Sequence, residues 1–397
     1  MKTLKPVAGY ILVMSTAVLW ASSNHGLVLK DAVLNFDARH YYTIAQSGYN
    51  GFLQAFFPLF PLTWRAIGIG PISMCIVNGL IYLVSLAILQ RELQASLKTF
   101  MFWLVVPSAF FFWLPYSESL FFLGSTLLLI GTKRSDIKLS SIGLFLCTLS
   151  RPAFTVLVPA LLLTELSNVP SRSHFLSRMT AYILITCAGL ALVAFIQWFD
   201  TGEWLGFYHA QEGWGNRFRM PSLPLTSWGG SPSVRLDAVA FLTGAAAGIV
   251  LLWNIFKERG NLRFPKELTL SLFYLAGIST FVFLMRGGEL FSLNRFVFAT
   301  PYFLIALNYI HYITLNTKQL VFLGIGAFTF FLLFGSFLHI QTLLSYLLIT
   351  IYLMMSAFTL IRQLSSKTTI VMYLTLVLTL GLQIYYFLRF LKGGWVA

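Results

Sequence analysis

Asp37, Arg39 and His40 put an acid, a guanidinium and an imidazole side by side in Asn35–Phe36–Asp37–Ala38–Arg39–His40–Tyr41–Tyr42. Such a cluster needs explaining here, because only 10% of the chain is charged, against about 25% in a soluble domain. Tyr41, Ile44, Ala45 and Gly48 follow Asp37 at helical spacing. That spacing predicts a short helix in a membrane interface, with Tyr41, Tyr42 and Tyr49 at headgroup level. A carboxylate in the first turn is favoured as an anion by the helix dipole. It therefore suits a general base, which must be ionised and within reach of a substrate hydroxyl. The plainer alternative is a capping Asp37 paired with Arg39, among ordinary interfacial aromatics.

Three more charges stand where apolar sequence is expected. Glu118, in Pro115–Tyr116–Ser117–Glu118–Ser119, and Arg151, in Ser150–Arg151–Pro152, interrupt apolar runs. A charge in hydrocarbon costs about 2.5–3.5 kcal/mol or more, so each should face a partner, a cavity or water. The two could pair with each other or meet a polar substrate. Arg295, in Ser292–Leu293–Asn294–Arg295–Phe296, offers a planar fork suited to a phosphate or to lipid headgroups. Arg217 and Arg219 are less specific candidates. His40 has no second His or Cys at ligand spacing, so no metal site is expected. Gly68–Ile69–Gly70 lacks the rest of a nucleotide loop, which argues against a cytosolic nucleotide-sugar donor. Cys75, Cys147 and Cys187 lie in apolar runs and read as small buried hydrophobes.

The elements that must position these residues are membrane helices. The chain of 397 residues is 57% hydrophobic, with a mean hydropathy of +0.78. Apolar runs near the length that crosses about 30 Å of hydrocarbon recur throughout. Candidate spans fall at about 7–29, 72–90, 99–114, 116–131, 139–150, 153–165, 179–199, 237–256, 269–285, 297–315, 320–338, 341–361 and 368–388. The expectation is one all-α, polytopic domain over 1–397 with 11–13 membrane helices and short juxtamembrane helices. The first run follows two lysines like a signal sequence and is read as an uncleaved first helix. With a cytoplasmic N-terminus, Lys133, Arg134, Lys138, Arg178, Lys257, Arg259, Arg263 and Lys266 fall inside, as the positive-inside rule asks. The net charge of +14 is then topological and calls for no nucleic acid. Two long segments, 30–71 and 200–236, and a shorter one at Arg286–Arg295 fall outside together. Long loops carry function more often than they merely connect.

The residues also resemble a known family. Phe36–Asp37–Ala38–Arg39–His40–Tyr41–Tyr42–Thr43–Ile44–Ala45–Gln46–Ser47–Gly48–Tyr49, followed by Phe56–Phe57–Pro58–Leu59–Phe60–Pro61, resembles the PIG-V mannosyltransferase family. Its members carry W-D-x-x-x-Y/F-x-x-I-A-x-x-G-Y ahead of F-F-P-x-x-P. Tyr116–Ser117–Glu118–Ser119–Leu120–Phe121 is similar to the family's Y-S-E-S/A-L-F, and Ser150–Arg151–Pro152 to its T/S-R-P. Gly202 to Trp214 and Ser292 to Pro301 resemble two further segments. The resemblance covers about residues 35–305. Phe36 stands where the family has tryptophan, Glu203–Trp204 replaces Asp-Pro, and the first loop lacks the D-x-D pair of some relatives.

What the resemblance implies is a GT-C glycosyltransferase with its site on the extracytoplasmic face. The donor would be a polyprenyl-phosphate hexose, by default mannose, transferred with inversion to a glycolipid or glycan acceptor. Asp37 would deprotonate the acceptor hydroxyl, while Arg295 and Arg151 stabilise the departing phosphate. Arg39, His40, Tyr49, Glu118, Gln211 and Trp214 would line the substrates. No organic cofactor is implied, and a divalent metal is left open. Lacking any N-x-S/T sequon, the chain is expected to be a multi-pass protein of a bacterial inner membrane. The rival reading is a transporter of polyprenyl-linked glycans, and a nearer one is the same fold using another sugar or a protein acceptor.

Overall fold

In a computed structural model of the chain, residues 3–168, 172–227, 231–257, 264–310, 313, 315–334, 340–361 and 366–396 are described. Arg259 and Arg263 lie outside them. Among these residues the protein is helical without strands, and the lone bridge joins Thr226 to Glu289. It is an all-α polytopic membrane protein. Eight helices are long and apolar enough to cross a bilayer, or nine if the bent pair Pro107–Trp113 and Glu118–Arg134 counts as one span. Ile137–Ser150, Leu157–Asn168 and Pro301–Ile310 are shorter apolar helices.

Proline explains most of the difference from the thirteen expected runs. The run at 99–114 yields only the helix Leu97–Leu104, because Pro107 brings no N–H and opens a 3-10 segment instead. That segment meets Glu118–Arg134 at 108°. Pro152 likewise separates Ile137–Ser150 from Leu157–Asn168 by a 3-10 turn, and Pro301 separates Leu293–Phe298 from the next helix. The break at Pro152 falls directly beside Arg151 of the candidate site.

Several spans are apolar all round yet little buried by protein. The apolar windows of Arg235–Lys257, Thr317–Phe334 and Gln341–Ile361 are each only 22% buried. Such exposed apolar surface belongs against lipid, since water would penalise it. Cys187 lies on such a surface and is exposed, unlike Cys75 and Cys147. The sequence-level expectation of a buried residue fails there because a lipid-facing position is apolar without being covered.

Inside, helices approach closely through small residues, as membrane packing favours. Ser135 (φ 58°) and Asp136, which caps Lys138 N and Leu139 N at 3.0 and 3.1 Å, turn Glu118–Arg134 into Ile137–Ser150. A Cβ on Gly143 would stand 2.3 Å from Leu128 N. The aromatic core includes Trp103, Phe110, Phe111, Phe112, Tyr116 and Phe122. A second cluster of Tyr41, Ile44, Phe56, Phe60 and Trp64 packs the helix Asp37–Ser47 onto Leu59–Ile67.

The two ends of the bundle differ. At one end Lys133 and Arg134 meet Glu92, Arg178 meets Glu165, and Lys266 reaches Ser135. At the other, the three segments singled out in the sequence meet. Tyr49 N donates to Asp200 (2.8 Å), Gln54 to Thr201 (2.9 Å), and Arg219 pairs with Glu289 (3.3 Å).

Candidate active site

Two short helices bring the central residues together, and each is entered through an unusual backbone conformation. Phe36, before Asp37, has φ 53° and ψ −128°. A non-glycine residue in such a region costs on the order of 1–3 kcal/mol and persists only where its surroundings fix it. Here the Phe36 ring packs edge-on against Phe390 and Trp395, with centroids at 5.6 and 4.9 Å. Asn35 Nδ2 also donates to the Phe390 carbonyl at 2.9 Å. Ser292, before the helix Leu293–Phe298, is left-handed at φ 65°. That helix is anchored by Asn294, whose backbone N and Nδ2 both donate to Asp237 Oδ1 at 2.8 Å. Ser108 donates to Asn294 Oδ1 at 3.0 Å.

On this frame Arg295 Nη1 donates to Asp37 Oδ2 at 2.8 Å. Its Nε lies 2.8 Å from Glu118 Oε1, and Arg151 Nη1 lies 3.2 Å from the same oxygen. The result is an alternating chain, Asp37–Arg295–Glu118–Arg151, made of two acids and two bases. Aromatic faces wall it in. The Arg151 guanidinium sits 5.2 Å from the Phe121 ring and 4.7 Å from Phe296, and Arg295 sits 5.3 Å from Tyr116. Burial opposes the charged form of Arg295, but Glu118 and Asp37 outweigh it and raise its pKa above the ordinary value. The guanidinium stays charged.

The pairing of Asp37 with Arg39 that the sequence left open is not formed. Its partner is Arg295, not Arg39. Residues two apart on a helix point away from one another, and Arg39 is exposed outside the cavity. Glu118 and Arg151 do pair, and Arg151 also lines the cavity. Arg151 Nη2 is buried without a hydrogen-bond partner among the described residues. Asp37 gives one oxygen to Arg295, and among the described residues no donor meets its Oδ1.

Asp37 and Arg151 both line a cavity of about 1060 Å³, at the upper end of small-molecule sites. Its lining includes Asp37, Tyr41, Arg151 and Arg295, together with Phe207, Gln211, Trp214 and Arg286. Gln211 is committed to the protein. Its Nε2 donates to the Ala55 carbonyl (3.2 Å), and its Oε1 accepts from Asn216 Nδ2 (2.7 Å). Trp214 and His40 form an aromatic corner with Phe52 and Phe56, the His40 ring lying 5.8 Å from Trp214. Burial in that corner lowers the His40 pKa, partly offset by Asp37. Tyr49 is away from the cavity: it is buried, and its hydroxyl donates to the Phe56 carbonyl at 3.0 Å. It shapes the turn after Gly48, whose φ of 86° leaves a Cβ position only 2.8 Å from Asp200.

Sequence reasoning missed Asp237, Asn294 and Arg286. Asp237 carried the same signal as Glu118 and Arg151, a charge at an apolar run, but it opens that run and reads as a boundary. Arg286 lay in a segment already singled out, and only its burial marks it. Among the described residues no group of three His, Cys, Asp or Glu converges as for a metal. Compared with protein-family models, curated proteins and solved structures, the chain matches none.

Proposed function

We propose that the chain is a membrane-embedded hexosyltransferase of the GT-C kind. It would move a sugar, by default mannose, from a polyprenyl phosphate to a glycolipid or glycan hydroxyl. One observation carries this reading: Arg295 holds one oxygen of Asp37, the other meets no donor among the described residues, and Asp37 lines a large cavity. A carboxylate held this way is oriented by its cation and still has a free lone pair for a proton.

In the proposed step, the acceptor oxygen attacks the anomeric carbon as its proton passes to Asp37 Oδ1. The bond between that carbon and the phosphate oxygen breaks, and the phosphate leaves with the electron pair. Attack opposite the leaving group inverts the anomeric centre. Glu118 and Arg151 keep Arg295 fixed during this step, so little reorganisation accompanies charge movement. The cavity end would be extracytoplasmic, because the opposite end gathers Lys133, Arg134, Arg178 and Lys266. A bacterial inner membrane fits that orientation.

The test uses the purified chain in proteoliposomes with radiolabelled polyprenyl-phosphate mannose and a lipid extract as acceptor. Label is expected to move into a new glycolipid. Donor that stays intact with every extract and every sugar tried contradicts the reading. Donor carried across the bilayer without being consumed supports the transporter instead.

A further inference from the structure

The charge balance of the site bears on where the donor's phosphate sits. Arg295 contacts two carboxylates, Asp37 and Glu118, and Arg151 shares Glu118. The four side chains already cancel. A phosphate placed on them would have to compete with carboxylates for donors in a partly desolvated setting, where an uncompensated charge is costly.

Arg286 is differently placed. It lines the same cavity and is 9% exposed. Its Nε donates to Asn216 Oδ1 at 2.7 Å, and its Nη1 donates to the Phe291 carbonyl. Both acceptors are neutral. The guanidinium also stacks on the Phe291 ring with its carbon 3.7 Å from the centroid. Among the described residues no carboxylate is within ion-pair distance of it, and its Nη2 has no hydrogen-bond partner. Asp237, Glu289 and Asp37 attract it from farther off, and Arg295 opposes them. Asp237 is occupied by Asn294 and Ser227, and Glu289 by Arg219. Arg217, exposed on the cavity wall, adds a second cation without an ion pair among the described residues, although Glu212 also lines that wall. A buried, rigidly held guanidinium with a free donor edge matches the fork geometry of a phosphate.

We infer that Arg286, assisted by Arg217, binds the phosphate of an isoprenyl-phosphate ligand, while Arg295 and Arg151 orient Asp37 and Glu118. This assignment rests on the transferase reading. It divides the cavity into a neutral proton-transfer end and a cationic leaving-group end. The relay Arg286–Asn216–Gln211–Ala55 links the anion site to the loop beside the interface helix.

The test is binding of farnesyl phosphate, farnesol and inorganic phosphate to the full chain in nanodiscs, read by quenching of Trp214 and Trp395 at the cavity wall. The wild type should prefer farnesyl phosphate to farnesol. Arg286→Gln, which keeps an amide donor for Phe291, should lose about tenfold to a hundredfold in farnesyl phosphate affinity, as for a lost charge-assisted bond. Its farnesol affinity should be unchanged. Arg286→Lys should recover part of the loss, and Arg217→Ala should lose a few-fold. A phosphate preference that survives Arg286→Gln but disappears in Arg151→Met overturns the inference and leaves the transferase reading standing. No phosphate preference in the wild type overturns both. Inorganic phosphate binding as tightly as farnesyl phosphate overturns the lipid assignment.

Discussion

Replacing Glu118 by Gln removes the one anion shared by Arg295 and Arg151 while keeping the side chain's shape. The two ion pairs it breaks span 2.8 and 3.2 Å. At an effective dielectric of about 20, each is worth roughly 5–6 kcal/mol of gross attraction. Part of that is returned, because a carboxylate no longer has to be desolvated, and breaking a buried pair costs about 3–5 kcal/mol net. The sign of the next step discriminates. Glu118→Gln leaves the cluster with one excess positive charge, whereas adding Arg151→Met restores neutrality and leaves Asp37–Arg295 intact. The double variant should therefore lose less than the sum of the two single variants, by a coupling energy of about 0.5–3 kcal/mol. The assay is a double-mutant cycle on unfolding in mixed micelles titrated with a denaturing detergent. Additive losses in the cycle would refute a coupled ion chain at this site.

Other consequences are open to simpler measurements. Gly143→Ala places a Cβ 2.3 Å from the Leu128 backbone. Backbone cannot yield as a flexible side chain can, so a thermal shift should show a loss of about 1–3 kcal/mol despite alanine's better helix propensity. His40 has a pKa lowered by burial from 6.5. The folded state then binds fewer protons than the unfolded state, so His40's contribution to stability is full above about pH 6.5 and is lost as pH falls through the depressed value. His40→Phe should flatten that part of the stability profile, and an unchanged acid slope would contradict the burial argument.

Much of the frame was legible because membrane sequence is written in a small alphabet. Apolar runs located the helices, and scarce charges located Asp37, Glu118, Arg151 and Arg295, which the structure gathers into one chain. The grouping of segments 30–71, 200–236 and 286–295 followed from their common side. What escaped was whatever depends on direction more than on residue type. Arg39 carries the same charge as Arg295 and lies nearer in sequence, yet its position on the helix turns it outward. Tyr49 fits the aromatic pattern but serves the turn at Gly48. Asp237, at the start of a span, acts through Asn294, and no local pattern predicts a bond across 57 positions. The C-terminal residues looked merely apolar, yet Trp395 walls the cavity and Val396 O accepts from Asn294 at 3.3 Å.

The central claim is that Asp37 takes the acceptor's proton, and Asp37→Asn tests it most directly. The amide keeps the shape and an oxygen to accept from Arg295, but it cannot act as a base. Donor binding and transfer should be measured on the same proteoliposomes, with radiolabelled polyprenyl-phosphate mannose. Donor binding should be retained while transfer falls by about a hundredfold or more, the usual scale for removing a general base. Transfer by Asp37→Asn at a rate near that of the wild type would contradict the claim.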